Sequence, residues 1–113
     1  MDEFDRRRKG FDKFFALSEA LRFMALSRRN RAVGEWAAEK LGLTGDAAER
    51  YADAFAQPQI EGADDETLIA RLHEEFVKAG VDVSAHRIRR RFEAAMNDAI
   101  AEIEAGRAVA GGR

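Results

Sequence analysis

Cysteine is absent from this sequence, and proline is nearly so. Without cysteine the chain has neither disulfides nor thiolate metal ligands, which fits a reducing compartment. Pro58 is the single proline, and β-branched residues are too scattered to form the alternating pattern of a strand. No apolar run approaches the ~20 residues that a membrane-spanning helix needs, and the charged N-terminus lacks the apolar stretch of a signal peptide. The sequence therefore predicts an all-α, cytoplasmic protein without direct membrane insertion.

The composition is that of an ordinary globular domain. Of the 113 residues, 46% are hydrophobic and 35% are charged, so a single domain is expected. The net charge of −2 is unevenly distributed: residues 1–41 hold ten Lys/Arg against seven Asp/Glu, residues 42–83 three against ten, and residues 84–113 six against four. A basic N-terminal part thus precedes an acidic middle part, an asymmetry that bears on partners more than on fold.

Helical periodicity predicts four helices. In the last one, Ser84 is the expected N-cap and Gly106 the expected C-cap, and one face is apolar: Ile88, Phe92, Ala95, Met96, Ala99 and Ile103. The helix before it should begin at Asp64 or Asp65 and end near Gly80, with these residues buried: Leu68, Ile69, Leu72 and Phe76. A shorter helix should follow Thr44-Gly45-Asp46 and stop near Pro58, with a loop over residues 57–63.

The N-terminal helix is predicted to run without a break from about Phe11 to Leu41. Its ~30 residues correspond to about 45 Å of helix, which is more than the three shorter helices can cover. One of its two apolar stripes consists of Phe14, Leu17, Leu21 and Met24. We therefore expect a four-helix bundle with a long N-terminal helix whose first part projects or is mobile, while Trp36 packs on the later helices and Gly34 marks a close helix approach.

Catalytic motifs are not evident. Asp82, Ser84 and His86 include the residue types of a nucleophile triad, but they lie within five residues at a helix start, where a serine acts as a cap. The two histidines, His73 and His86, lack the spacing of a helical metal site. Gly42 and Gly45 are not followed by the Lys-Ser/Thr pair of a phosphate-binding loop. The sequence thus predicts no enzyme, no cofactor and no metal.

Three arginine clusters suggest two kinds of partner. They are Arg6-Arg7-Arg8-Lys9; Arg28, Arg29 and Arg31; and Arg87 with Arg89-Arg90-Arg91. Nucleic-acid binding is one hypothesis, although the pI near 5.7 and the lack of a basic recognition helix argue against it. Ion pairs with the acidic middle part are the alternative. Phe4, Phe11, Phe14 and Phe15 surround the first cluster, and aromatic residues mixed with arginine are typical of protein interfaces.

Several short motifs in order resemble the zeta-subunit family, the small inhibitors of F-type ATP synthase in alphaproteobacteria. The motifs are Phe4-Asp5 with Arg7, Arg28-Arg29-Asn30, Gly34 with Trp36 to Glu39, Leu41-Gly42, Thr44-Gly45, Gly62 to Glu66, Ala79-Gly80, and Ser84 to Arg90. They span nearly the whole chain. The resemblance implies a four-helix fold without catalysis, and an N-terminal segment that enters a subunit interface near the rotor of the enzyme and blocks ATP hydrolysis.

The resulting expectation has three segments: a partner-binding, inhibitory arm at 1–20, a helical bundle at 21–106 and a flexible tail at 107–113. Partner binding is assigned to Phe4, Asp5, Arg6, Arg7, Arg8, Phe11, Phe14, Phe15, Leu17 and Leu21. Arg28, Arg29, Asn30, Gly34 and Trp36 are the structural signature. The expected partners are the α, β and γ subunits of the catalytic head, reached by a monomeric protein that lies peripherally at the inner membrane when bound.

A second hypothesis retains the fold without the inhibition. The family pattern has an acidic, histidine-containing stretch before Leu21-Arg22-Phe23, whereas this chain has Ala16-Leu17-Ser18-Glu19-Ala20. The protein would then be a helical protein-binding adaptor. A nucleic-acid-associated regulator is the third hypothesis.

Overall fold

The computed structural model describes residues 12–60 and 64–111, which form helices joined by short turns. The described part of the first helix, α1, covers residues 12–16. Four longer helices follow: α2 at Glu19–Lys40, α3 at Gly45–Ile60, α4 at Asp65–Lys78 and α5 at Ala85–Gly111. No strand occurs in this part of the chain. The predicted all-α class is confirmed.

Side-chain caps begin three of the helices. The Ser18 hydroxyl accepts a hydrogen bond from the Leu21 N–H at 3.2 Å, Asp64 accepts from the Thr67 N–H at 2.8 Å, and Ser84 accepts from the Arg87 N–H at 3.1 Å. Each contact satisfies a backbone donor that the first helical turn leaves unpaired. The predicted cap at Ser84 and the predicted helix start at Asp64 or Asp65 are confirmed.

Glycines in the left-handed region end two helices. Gly42 has φ of 78° and Gly80 has φ of 73°, a conformation that glycine adopts without a steric penalty. After each of them the chain donates a hydrogen bond back to the helix, from Leu43 to the Ala38 carbonyl and from Val81 to the Phe76 carbonyl. This pattern is the Schellman motif, so both predicted helix ends are confirmed.

The main hydrophobic cluster lies where α2, α4 and α5 meet. α2 contacts α3 and α5, and α4 contacts α5. The rings of Trp36 on α2 and Phe76 on α4 pack edge to face, 5.7 Å apart. The buried members are Val33, Ala37, Leu68, Ile69, Leu72, Phe76, Val83, Ile88, Phe92 and Ala95. The apolar faces predicted for α4 and α5 are therefore confirmed.

Gly34 allows α2 and α3 to pack closely against each other. A Cβ added there would lie 2.9 Å from the Ala52 Cα and 3.1 Å from the Phe55 Cβ of α3. Only glycine leaves room for two backbones at this distance, so the predicted close approach at Gly34 is confirmed.

Three predicted helix boundaries are wrong. The N-terminal helix is not continuous, because the chain leaves the helix at Leu17 and Ser18, where Ser18 has ψ of 163° and caps α2. α3 continues through Pro58 to Ile60, since a proline in the last turn removes only one hydrogen bond of the helix. α5 continues through Gly106 to Gly111, because Gly106 does not adopt positive φ and three nearby alanines, the best helix former, favour the helix.

Candidate partner-binding surface

Exposed apolar side chains concentrate near the N-terminal end of the described chain. Phe15 is 52% exposed, Phe23 55% and Met24 43%, and the fourth large exposed hydrophobic residue among the described residues is Val77 on α4. Isolated exposed apolar residues are common on proteins, but a group of them marks a contact site. We call Phe15, Phe23 and Met24 the exposed apolar group.

Aromatic and cationic side chains are combined around Phe15. The rings of Phe14 and Phe15 meet edge to face with centroids 5.1 Å apart. The Arg22 guanidinium lies 5.5 Å from the Phe15 centroid, within the range of a cation–π interaction. The Nε of Arg22 is buried and has no hydrogen-bond partner among the described residues. Aromatic residues and arginine are the types that contribute most at protein interfaces.

The sequence predicted that Leu17 lies on an uncovered apolar stripe. This prediction is wrong. Leu17 is 5% exposed and lies in a second cluster with Ala25, Ile100 and Ile103. Phe14, Leu21 and Met96 pack partly buried around these four residues. We call Leu17, Ala25, Ile100 and Ile103 the distal cluster. The predicted stripe is thus partly covered by α5, through Ile100 and Ile103.

Six residues predicted to bind a partner lie outside the described residues: Phe4, Asp5, Arg6, Arg7, Arg8 and Phe11. The other four are placed close together along the chain. Phe15 is exposed, Phe14 and Leu21 are half-buried, and Leu17 is buried. Phe23 and Met24 were not predicted as site residues. Met24 was assigned to the stripe with Leu17, and the periodicity of a single helix gives no sign of which residue its neighbours cover.

Arg29 is the buried centre of the predicted signature. It is 3% exposed, and its two terminal nitrogens donate hydrogen bonds to the two carboxylate oxygens of Asp65 at 2.9 and 2.8 Å. Its Nε donates to the Asn30 side chain at 2.9 Å, and its guanidinium lies 5.2 Å from the Phe92 ring centroid. A buried guanidinium needs such partners because its desolvation is costly. This part of the signature joins α2, α4 and α5.

The remaining signature residues connect α2 to its neighbours. Arg28 forms an ion pair with Glu102 of α5 at 3.0 Å. Trp36 is half-buried, with the Arg91 guanidinium 5.9 Å from its ring centroid. Gly34 lies against α3, as described above. All five signature residues therefore have contacts within the domain.

Ion pairs join several arginines to the acidic middle part, as one of the two hypotheses predicted. Besides the pair of Arg29 and Asp65, Arg31 contacts Asp53, and Arg89 contacts Glu66 at 2.9 Å. The hydrogen bond from Arg89 lowers the pKa of Glu66, and the hydrogen bond to Asp53 raises the pKa of Arg31. These pairs account for much of the central arginine cluster and for part of the last one.

A shallow groove of about 490 Å³ lies between α3 and α4. The Tyr51 hydroxyl donates a hydrogen bond to Glu75 at 2.6 Å beside it. Burial, followed by this hydrogen bond, raises the pKa of Tyr51. The groove is lined by Tyr51, Ala54, Phe55, Leu68, Arg71, Glu74, Glu75 and Lys78. Sequence reasoning did not predict this groove, because the groove depends on how two helices pack.

The described residues include neither a metal-binding group nor a membrane-spanning helix. No group of three or more His, Cys, Asp or Glu residues in this part of the chain is placed to hold a metal ion. None of its helices is both long enough and apolar enough to span a membrane. Ser84 serves as a helix cap, and His86 beside it is exposed.

Comparison with known proteins identifies the family. The family model for ATPase inhibitor subunit zeta matches residues 1–102. A search of curated proteins finds no significant match. The family match covers α1 to α4 and most of α5, including the exposed apolar group and the arginine signature. This chain belongs to the ATPase inhibitor subunit zeta family, which is regulatory and not catalytic.

Proposed function

We propose that this protein inhibits ATP hydrolysis by the F-type ATP synthase, and that its N-terminal part contacts the enzyme. The family match supports the inhibitory role in general. The observation that supports the contact region is the exposed apolar group, since three of the four large exposed hydrophobic residues described lie at positions 15–24.

The proposed mechanism is a steric block. The arm, residues 1–20, enters an interface between catalytic and non-catalytic subunits near the central rotor, while the helical bundle remains outside except for the start of α2, which also contacts the enzyme. An amphipathic helix that lays an apolar face into a groove is a common recognition mode. Phe15 and Phe23 are the proposed anchors from the described residues, with Arg22 held at the Phe15 ring. Phe4, Asp5, Arg6, Arg7, Arg8 and Phe11 complete the proposed contact.

The proposed partners are the α, β and γ subunits of the enzyme head. An element that contacts both the rotor and the subunits around it blocks rotation, so the arm is proposed to contact all three. The free protein is proposed to be a cytoplasmic monomer that becomes peripheral at the inner membrane when it binds the enzyme.

The adaptor hypothesis differs in one measurable respect. An adaptor would bind its partner without slowing ATP hydrolysis. The test is the hydrolysis rate of purified enzyme head titrated with the protein and with two single variants, Phe15→Ala and Phe23→Ala. Val77→Ala is the matched control, because Val77 is 63% exposed but lies on α4.

We expect the parent protein and the control to inhibit equally, and both phenylalanine variants to require a higher concentration. Truncation of an interface anchor costs about 2 kcal/mol or more, which corresponds to a loss of roughly thirtyfold in affinity. Binding by the parent protein without inhibition would favour the adaptor. Equal loss in the Val77→Ala variant would show that the exposed apolar group is not the contact region.

A further inference from the structure

Arg22 and Arg29 occupy related positions on α2. They lie about two turns apart in the sequence of this helix, so their side chains leave it on the same face. Each guanidinium lies near a phenylalanine ring. The distance to the ring centroid is 5.5 Å from Arg22 to Phe15 and 5.2 Å from Arg29 to Phe92. The two sites therefore share an aromatic neighbour, and they differ in the hydrogen-bond acceptors beside it.

Arg29 has acceptors and Arg22 lacks them. The terminal nitrogens of Arg29 donate to both carboxylate oxygens of Asp65, and its Nε donates to the Asn30 side chain. The Nε of Arg22 is buried and has no hydrogen-bond partner in the part of the chain that the structure describes. The ion pairs in that part involve other cations, namely Arg28, Arg29, Arg31, Lys78 and Arg89. Arg22 is thus half-buried without a carboxylate from the described residues.

The location of Arg22 makes this lack important for binding. Its aromatic neighbour, Phe15, belongs to the exposed apolar group that is proposed to contact the enzyme. A surface that covers Phe15 also removes water from the Arg22 guanidinium, which is already half-buried. A guanidinium that loses its water needs an acceptor, because its desolvation is costly. Since the described residues supply none, the acceptor has to come from the enzyme.

We infer that Arg22 binds a carboxylate of the ATP synthase head, an aspartate or glutamate side chain that does at Arg22 what Asp65 does at Arg29. A carboxylate fits best, because its two oxygens accept two parallel hydrogen bonds from a planar guanidinium. The pair fixes the orientation of the contact and rejects surfaces that lack an acidic side chain beside the apolar one. This role of Arg22 rests on the proposed function.

Removing the guanidinium should weaken binding and spare the fold. Arg22→Met keeps an unbranched side chain, and it breaks no ion pair of the described residues, so the urea unfolding midpoint should not fall. Affinity for the purified enzyme head should decrease about ten- to hundredfold, which is the effect of losing a hydrogen bond to a charged group. Arg91→Met is the matched control, because the Arg91 guanidinium also lies near a ring, 5.9 Å from the Trp36 centroid, but on α5. The control should bind like the parent.

A second variant identifies the carboxylate. Arg22→Lys places a primary amine at this position, and a carbodiimide joins amines to carboxylates that they contact. In the complex with the enzyme head, we expect mass spectrometry to find a cross-link from position 22 to an aspartate or glutamate of the enzyme. Arg91→Lys should give no such cross-link from position 91. Converting the identified acid to its amide should weaken binding of the parent but not weaken binding of Arg22→Met any further.

Three results would overturn the role of Arg22: unchanged affinity of Arg22→Met, an unfolding midpoint that falls together with its affinity, or no cross-link from position 22. In each of these cases an inhibitory parent protein would leave the proposed function intact. Failure of the parent to bind the enzyme head would remove the proposed function and the role of Arg22 together. Binding of the parent without inhibition would overturn only the inhibitory role, because affinity and cross-linking still decide what Arg22 contacts.

Discussion

Arg29 and Asp65 are 36 residues apart in the sequence and form a two-pronged ion pair between the middle of α2 and the first turn of α4. The Arg29 side chain is 4% exposed and the Asp65 side chain 50% exposed. Arg29 is therefore shielded from solvent, whereas the Asp65 carboxylate remains partly in contact with it. It fixes α4 directly after residues 61–63, together with the pair of Glu66 and Arg89.

Removing the carboxylate of Asp65 should destabilise the fold more than removing that of its neighbour. Asp65→Ala leaves the buried Arg29 guanidinium without its carboxylate partner, which we expect to cost about 2–3 kcal/mol, because the loss of one member of a fully buried pair costs about 3–5 kcal/mol. Glu66→Ala breaks an exposed ion pair with Arg89 and should cost less than Asp65→Ala, because water screens exposed pairs. Urea unfolding of the two variants measures this difference, and equal costs would contradict the central role of Arg29.

Two helical glycines should respond to alanine in opposite directions. Gly34→Ala places a Cβ 2.9 Å from the Ala52 Cα, and the resulting overpacking, typically about 1–3 kcal/mol, should exceed the gain of about 1 kcal/mol in helix propensity. Gly106→Ala meets nothing within 4 Å and should stabilise α5 by up to about 1 kcal/mol. Thermal midpoints should therefore shift down for Gly34→Ala and up for Gly106→Ala. A stable Gly34→Ala variant would mean that α2 and α3 separate easily.

Acid should weaken the start of α4. Hydrogen bonds from the Thr67 side chain and backbone N–H lower the pKa of Asp64 below its ordinary value of 3.8. A carboxylate whose pKa is lower in the folded state contributes stability above its unfolded pKa, and this contribution disappears as the pH falls through the folded value. The loss therefore occurs below about pH 4.

The matched variant for this effect is Asp64→Asn, which retains a capping side chain but does not titrate. Unfolding free energies at about pH 6 and about pH 3 should differ less in this variant than in the parent. Glu66, whose pKa is also lowered by its pair with Arg89, still titrates in both proteins. An identical acid loss in the variant would assign the effect to other groups.

Local sequence signals predicted most of the fold. They did not predict contacts between distant segments of the chain. Ser84 and Gly80 act through their own turns, and Ile88 and Phe92 lie on a face that helical spacing defines, so these predictions were confirmed. The break at Ser18 is different, because serine is permitted inside a helix and at a cap alike. Leu17 beside it is buried in one cluster with Ile100 and Ile103, a contact with a distant segment that local sequence does not reveal. The family motifs predicted the regulatory class of the protein. The exposure of Phe23 could not be predicted, because it depends on which face of α2 packs against the other helices.

Deleting residues 1–18 should separate folding from inhibition. The main cluster includes no residue before Ala32, so α2 to α5 should keep their helical circular dichroism. The deletion removes the Ser18 cap, worth about 1 kcal/mol, and the burial of Leu17, worth about 2–3 kcal/mol. A lower unfolding midpoint is therefore expected, together with a complete loss of inhibition of ATP hydrolysis.

A shorter deletion of residues 1–11 is the matched control for this experiment. It retains the described part of α1, Leu17 and the cap at Ser18, so its unfolding midpoint should remain close to that of the parent. If the arm inserts as a whole, the shorter deletion should also weaken inhibition, because it removes Phe4, Phe11 and the first arginine cluster. Full inhibition by the shorter deletion would restrict the effector to residues after 11. Full inhibition by both deletion variants would assign the inhibitory effect to α2–α5. In that case residues 1–18 would not be needed to stop the rotor.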